Sequence, residues 1–224
     1  MTSFEDTWAR QFGVRHPGQI VCVGRNYAAH AAEEGADLPK EPLLFAKLGN
    51  TVIGPGEPIL LPAVSSHVDA EAELALVIST TARAVSAERA ATVVAGYTAA
   101  NDVSARDLQF ADGQWFRGKG YDSFCPIQPE IAPLDELERG LSVMQLLNGA
   151  VLQDGNTDDF IFGLATLVSY ISRVVTLERG DVILTGTPDG VGYFRDPPLA
   201  LAPGDMVEVR VEGIEPLVNP VIGA

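Results

Sequence analysis

The chain is poor in several residue types, and each shortage removes a class of protein. There are two cysteines, Cys22 and Cys125, in 224 residues. That is too few for a disulfide framework and fits a reducing compartment, so a cytoplasmic location is expected. Basic residues number 15 against 30 acidic ones, a net charge of -15. Such a balance argues against nucleic acid and anionic membrane surfaces as partners. An anionic substrate would need local Arg, Lys or a metal to reverse the field. No apolar run is long enough to span a bilayer, and the start, M-T-S-F-E-D-T-W-A-R, has no basic region before an apolar one. Neither a transmembrane span nor a signal peptide is therefore expected. No repeat of solenoid length stands out.

What remains is an ordinary globular composition, 46% hydrophobic and 20% charged. The length suits one sizeable core. Residues 1–17 read as a lead-in containing a short amphipathic helix over Phe4–Phe12, and residues 18–224 as one catalytic domain. Short β-branched runs at Ile20–Val23, Leu43–Ala46, Ile59–Pro62, Leu74–Ile78, Tyr97–Ala100, Val182–Leu184, Met206–Val211 and Leu217–Pro220 predict strands. Leu141–Leu147 and Val151–Gln153 around Asn148-Gly149 predict a hairpin. The two L-x-x-G-D phrases, Leu177–Asp181 and Leu201–Asp205, read as turns feeding strands. Three further helices are expected: Ala28–Glu34, one capped by Ser86 that runs to about Ala95, and one capped by Thr157 with the stripe Phe160, Leu164, Leu167, Val168, Ile171. Trp115–Pro126 reads as a loop. Many short strands with few helices make a mainly β (α+β) fold.

The stretch from His67 to Asp107 carries the chemistry. Glu71 and Glu73 are two apart on a strand, so they share a face. Acidic groups at the buried end of a strand are costly without a cation. Asp102 follows at the tip of the next strand, and three carboxylates make a hard oxygen site suited to Mg²⁺ or Mn²⁺. The alternative for Glu71 and Glu73 is a half-exposed surface strand. His67 is assigned a structural role. His30 and Glu33 are three apart on a helix, a possible general base with its partner, or an incidental solvated pair. Lys47 leaves a buried strand and either points into a site or snorkels to water. Lys119, between two glycines and two residues after Arg117, can approach a ligand closely or lie in an exposed turn.

Six phrases in order then resemble the fumarylacetoacetate hydrolase superfamily, in its short acylpyruvase-like and 2-hydroxyhepta-2,4-diene-1,7-dioate isomerase-like branch. They are G-R-N-Y-A-x-H at 24–30, F-x-K at 45–47, E-A-E-L at 71–74, N-D-V-S-A-R-D at 101–107, K-G-x-D-x-F-x-P at 119–126 and L-T-G-T-P-x-G-V-G at 184–192. The resemblance covers roughly residues 18 to 222. It implies a mixed β-sandwich roll around one divalent metal per subunit, Mg²⁺ or Mn²⁺, and a homodimer. It implies Glu71, Glu73 and Asp102 as metal ligands, Lys119 near the substrate and Thr187 at the substrate carboxylate. The helix bearing His30 and Glu33 would be a lid. Arg25, Tyr27, Lys47, Arg106 and Gln109 complete the expected substrate contacts, and Arg25, Arg106, Gln109 and Arg117 could recognise a distal carboxylate.

The expected substrate is a small anionic 2-oxo acid. The expected activity is hydrolysis of the C3–C4 bond of acylpyruvates, such as fumarylpyruvate or acetylpyruvate, through a metal-bound pyruvate enolate, with water activated by His30 and Glu33 and positive charge from Lys119 and Arg117. Oxaloacetate decarboxylation, and isomerisation of a 2-hydroxy-dienedioate in aromatic catabolism, reach the same enolate. A non-catalytic member is the alternative of another class, and metal content with stabilisation by oxalate would separate it.

Overall fold

The computed structural model describes residues 3–134 and 140–223. Its strands are β1 (Ile20–Gly24), β2 (Leu43–Lys47), β3 (Val52–Ile53), β4 (Ile59–Leu61), β5 (Val68–Asp69), β6 (Ala72–Ile78), β7 (Val94–Asn101), β8 (Ser104–Ala105), β9 (Cys125–Pro126), β10 (Ser142–Leu147), β11 (Ala150–Asn156), β12 (Val182–Leu184), β13 (Met206–Val211) and β14 (Leu217–Gly223). The helices are α1 (Phe4–Phe12), α2 (Ala28–Glu33), α3 (Arg106–Asp112), α4 (Phe116–Lys119) and α5 (Leu164–Val174).

Two five-stranded sheets form the mixed β fold that the strand pattern predicts. One has the order β2-β1-β12-β6-β7, the other β11-β10-β13-β14-β4. Within these two sheets pairing is antiparallel except for β1 with β12 and β14 with β4. The sheets face each other through Leu74, Leu76 and Ile78 on one side and Val143, Val209 and Val211 on the other, and α5 adds Leu164, Leu167, Val168 and Ile171. The first sheet is buried on its second face too. There Ile20, Cys22, Ala75, Val77 and Leu184 meet Phe4 and Trp8 of α1. This explains why β6 is buried along its whole length and reads from Leu74 to Ile78 as a continuous apolar run instead of an alternating one. The lead-in helix is thus a layer of the core. Ser3 caps it by accepting from the Asp6 N–H at 3.1 Å.

The hairpin turns as predicted. Asn148 and Gly149 both have positive φ, 52° and 83°, which a two-residue turn of this hand requires. Gly180 and Gly204 close the two L-x-x-G-D turns before β12 and β13. Two helix expectations need correction. Ser86 opens only a 3-10 stretch, Ala87–Val93, and makes no side-chain cap. The chain becomes strand at Val94, which pairs with Ile78 of β6. Gly96 does not stop a helix. It lies inside β7, where a Cβ would sit 2.1 Å from the Ala132 carbonyl oxygen. Thr157 likewise caps no helix. Asn156 caps a 3-10 turn at Thr157–Asp159, and Thr157 Oγ1 accepts from the Leu141 N–H at 2.9 Å. The helix begins only at Leu164, so Phe160 lies outside it, while Leu164, Leu167, Val168 and Ile171 form its buried face. The Trp115–Pro126 loop contains one helical turn, α4.

Candidate active site and metal centre

The centre is built where β6 and β7 run side by side. Their register sets Ala72 opposite Asn101 and Glu73 opposite Ala100. Glu71 and Asp102 flank that ladder, and the Asp102 N–H donates to the Glu71 carbonyl at 2.9 Å. Carboxylate oxygens of Glu71, Glu73 and Asp102 all lie within 4.8 Å of one another, and all three residues are buried. Carboxylates this close repel strongly in a low dielectric, so the surroundings must supply charge.

Three basic side chains supply part of it. Lys119 Nζ donates to Glu71 Oε2 at 2.8 Å and to Asp102 Oδ2 at 2.6 Å. It also lies 4.9 Å from the Phe45 ring centroid. Arg106 donates to Asp69 from Nε at 2.7 Å, to Glu71 from Nη2 and to Gln109 Oε1 from Nη1 at 3.2 Å. Burial disfavours the Glu71 carboxylate, but Arg106 and Lys119 outweigh it and hold its pKa far below the usual range. Burial also works against the Lys119 ammonium, and Asp102 and Glu71 overcome it, so its pKa rises.

Lys47 needs a correction. Its ammonium is buried and donates to the carbonyls of Val103, Lys119 and Phe124 at 3.0, 2.8 and 2.7 Å, with Asp102 Oδ1 at 2.7 Å. The three carbonyls take its three N–H groups and Asp102 Oδ1 meets it as an ion pair, so neither snorkelling nor a free substrate contact describes it. It braces Asp102.

The charge count tests whether a cation fits. Around the metal-site carboxylates, Asp69, Glu71, Glu73 and Asp102 are buried acids against the buried bases Lys47, Arg106 and Lys119, while His30 across the cavity is offset by its own partners Glu33 and Glu34. The excess falls on Glu73, which has no basic partner within ion-pair distance among the described residues. Its Oε2 accepts from the Gly186 N–H at 2.7 Å. Burial first, then Asp102 and Glu71, push its pKa well above the ordinary value. An all-oxygen donor set with one uncompensated buried carboxylate suits a hard divalent cation.

The other wall is α2. Asn26 pins the turn before it by donating to the carbonyls of Thr185 (2.8 Å) and Phe162 (3.2 Å) and accepting from the Phe162 N–H (2.8 Å). Asn26 was not among the expected site residues; only its tertiary partners reveal it. Arg25 adopts a left-handed φ of 56°, an uncommon state for a side chain of this size. His30 is 3% exposed. Its Nδ1 lies 3.1 Å from Glu33 Oε2 as the spacing predicts, and its Nε2 lies 3.1 Å from Glu34 Oε1. Glu34 was not anticipated, although it stands four residues after His30, the other helical spacing that brings side chains together. Burial opposes the imidazolium, but the Glu33 and Glu34 hydrogen bonds and the Glu71 charge raise the pKa of His30 from 6.5 to about 9. Glu33 Oε1 accepts from the Gly190 N–H at 2.9 Å, and Glu34 Oε2 from Arg25 Nε at 2.6 Å.

A cavity joins these walls. His30, Glu34, Arg25, Glu71, Glu73, Asp102, Arg106, Gln109, Lys119 and Thr187 are among its lining. Glu33, Tyr27, Lys47 and Arg117 are not. Tyr27 packs its ring edge-on against Phe160, 4.8 Å between centroids, with its buried hydroxyl unpartnered. Arg117 is exposed and pairs with Asp112, so it adds no charge to the site. Thr187 reaches the cavity, but its hydroxyl proton goes to the Ala72 carbonyl at 2.9 Å. His67 stacks edge-on against Tyr193 at 5.0 Å, outside the carboxylate group. No helix among the described residues is long and apolar enough to cross a membrane.

A profile of the fumarylacetoacetate (FAA) hydrolase C-terminal family matches residues 19–222. The human protein named oxaloacetate tautomerase FAHD2A, mitochondrial, is 42% identical over 213 residues, which span 93% of this chain and 68% of that protein. The solved structure of 5-carboxymethyl-2-hydroxymuconate delta-isomerase from Mycobacterium smegmatis is 45% identical with a TM-score of 0.83, covering 93% of this chain and 80% of that one. Fumarylacetoacetate hydrolase from Exiguobacterium antarcticum is 40% identical with a TM-score of 0.85, covering 93% and 76%.

Proposed function

The chain belongs to the fumarylacetoacetate hydrolase family, and from that premise we propose that it is a divalent-metal-dependent enzyme that moves a proton at C3 of a small 2-oxo acid, interconverting its keto and enol forms. The observation that carries this reading is His30, with each ring nitrogen 3.1 Å from a carboxylate oxygen. A neutral imidazole has one N–H and one lone pair, so it can donate to only one of the two. Both are satisfied by the imidazolium, which is an acid. It has no lone pair with which to activate water, so the preference moves from hydrolysis toward proton transfer. The names of the human relative and the M. smegmatis structure, a tautomerase and an isomerase, accord with this.

Each residue then has a task. Glu71, Glu73 and Asp102 would hold Mg²⁺ or Mn²⁺, which when bound supplies Lewis-acid stabilisation of negative charge on the 2-oxo oxygen. Lys119 adds fixed positive charge beside that position. Arg106 aims Glu71 and Gln109, and Lys47 aims Asp102. His30 gives a proton to C3 as the enol becomes the ketone, the enol O–H proton passing to solvent, and takes it back in reverse. Arg25 and Gln109 are the remaining polar groups of the lining suited to a distal carboxylate.

A second reading, hydrolysis of acylpyruvates, rests on Glu33. That carboxylate is held between His30 and the Gly190 N–H, behind the ring, where it could orient His30 toward a water in the cavity. The experiment follows enol-oxaloacetate decay and pyruvate release from oxaloacetate, acetylpyruvate and fumarylpyruvate, with Mg²⁺, with EDTA, and with His30→Asn. Metal-dependent enol decay without pyruvate, lowered about 10²–10⁴-fold in His30→Asn, is the expected result. Pyruvate from the diketo acids far outpacing enol decay returns the assignment to hydrolase; pyruvate from oxaloacetate alone makes it a decarboxylase.

The homodimer also stands as a proposal. In the first sheet β2 is an edge strand, flanked by exposed Leu43, Leu48, Phe116 and Val174, which would suit a second copy. Light scattering coupled to size exclusion tests it. Two free, buried cysteines accord with a reducing compartment.

A further inference from the structure

The sequence points to Glu33 as the partner of His30, yet Glu34 is the carboxylate that lines the cavity. Glu33 turns its other oxygen to the backbone of Gly190, away from that lining. Nε2, paired with Glu34, is therefore the ring nitrogen on the cavity side, while Nδ1 is tied to the scaffold. Glu34 is in turn held at 2.6 Å by Arg25 Nε, and the Arg25 guanidinium stands 5.8 Å from the Trp115 ring centroid at the mouth of the site. These contacts form one chain, Trp115–Arg25–Glu34–His30–Glu33–Gly190, crossing the cavity-facing end of α2.

We infer that Glu34 is a positioning residue for the proton transfer: it keeps a proton on Nε2 of His30, and Arg25 keeps Glu34 ionised and in place. The inference rests on the proton-transfer reading and specifies which side of the ring reacts. With Glu34 present, Nε2 carries the transferable proton. When that proton passes to C3 of the enol, the C2–C3 π pair forms the new C–H bond, and the C2=O bond re-forms as the enol O–H gives its proton to solvent. The ring is left neutral with Nδ1–H still donated to Glu33 until water reprotonates Nε2. One N–H and one O–H are broken, one C–H is formed, and the ring regains its N–H from solvent. Removing Glu34 leaves an ordinary His–Glu pair whose Nε2 can carry a free lone pair and act as a base. One carboxylate thus decides whether this histidine acts as acid or base.

The charges around His30 are consistent with this. On its own helix it faces Glu33 and Glu34; from the segment entering β6 comes Glu71; the cavity adds the carboxylates Glu73 and Asp102 and the cations Arg106 and Lys119, and Arg25 stands one link further out. Phe194 covers the ring edge-on at 6.0 Å, with no charge. Among the described residues Glu33, hydrogen-bonded at Nδ1, and Glu34, ion-paired at Nε2, are the acids in direct contact with the ring, so losing Glu34 removes one of two direct stabilisers. The same contacts acting in reverse hold the Glu34 carboxyl below its ordinary pKa against the effect of burial.

The test is a ring-proton NMR titration of the histidines, of which there are only three, His16, His30 and His67, with His30→Asn assigning the signal. In the wild type His30 should titrate near pH 9. In Glu34→Gln its midpoint should fall by more than about one pH unit, and the alkaline limb of the rate profile should fall with it. Glu34→Asp, which shortens the carboxylate without removing it, should give an intermediate midpoint and decides the question if Glu34→Gln does not fold. An unmoved His30 midpoint in the folded variant overturns the inference, even if the rate drops, because the role would then be structural. If the wild type shows no proton-transfer turnover, the proposed function fails, while the titration still reports separately on Glu34.

Discussion

Replacing His30 by Gln should change how stability depends on pH, and the size of the change can be worked out. The folded state raises the pKa of His30 from 6.5 to about 9. Burial lowers it, and the hydrogen bonds to Glu33 and Glu34, then the charge of Glu71, more than reverse that. The proton is bound more tightly in the folded state, so this group stabilises the fold fully below pH 6.5. The contribution fades as pH rises from there and is lost by about pH 9. A gap of this size corresponds to about 3 kcal/mol. At 3% exposure little solvent screening reduces it. Guanidinium denaturation across that window, compared between wild type and His30→Gln, isolates the term, because all other groups are shared. The wild-type midpoint should fall relative to the variant by roughly 0.5–1 M for a slope typical of this size. Parallel profiles for the two proteins would refute the paired-imidazolium geometry on which the proposed function stands.

Other outcomes follow from single contacts. Lys47→Met should destabilise the fold by about 3–5 kcal/mol in thermal or chemical denaturation, because it leaves Asp102 and three carbonyls without their buried cation. Gly186→Ala should weaken divalent-metal binding measured by calorimetry: φ is 100°, a Cβ would lie 2.8 Å from Asn26 Cβ, and the Gly186 N–H that orients Glu73 would shift. Millimolar Mg²⁺ should raise the melting temperature of the wild type, and Asp102→Asn should abolish most of that rise, because one of three converging charges is gone. Trp8→Ala should cost about 3–5 kcal/mol, showing by denaturation that the first helix belongs to the folding unit.

Much of this was legible in the chain. Period-two and continuous apolar runs located the strands, because side chains alternate or bury on both faces wherever they fall in the sheet. The carboxylates Glu71 and Glu73 were readable because two positions on a strand share a face without help from any other segment. Asp102 was readable because it ends the neighbouring strand of the same antiparallel pair. Local turn chemistry settled Asn148-Gly149 for the same reason.

Elsewhere tertiary contacts decided. Ser86 and Thr157 carry cap residues, yet strand pairing at Val94 and the bond from Leu141 to Thr157 drew the backbone out of helix. Lys47 is ambiguous alone, since the oxygens that claim its ammonium come from Asp102, Val103, Lys119 and Phe124, far along the chain. Arg117 lies two residues from Lys119, but α4 turns one outward to Asp112 and the other into the carboxylates. His30 shows the division most clearly. Helical spacing made Glu33 and Glu34 equal neighbours, three and four residues on. Only the positions of Gly190, Arg25 and the cavity made one the anchor and the other the residue that faces the chemistry. Spacing along a helix or strand is set by the backbone and is written locally; which oxygen meets which proton is set by packing between distant segments.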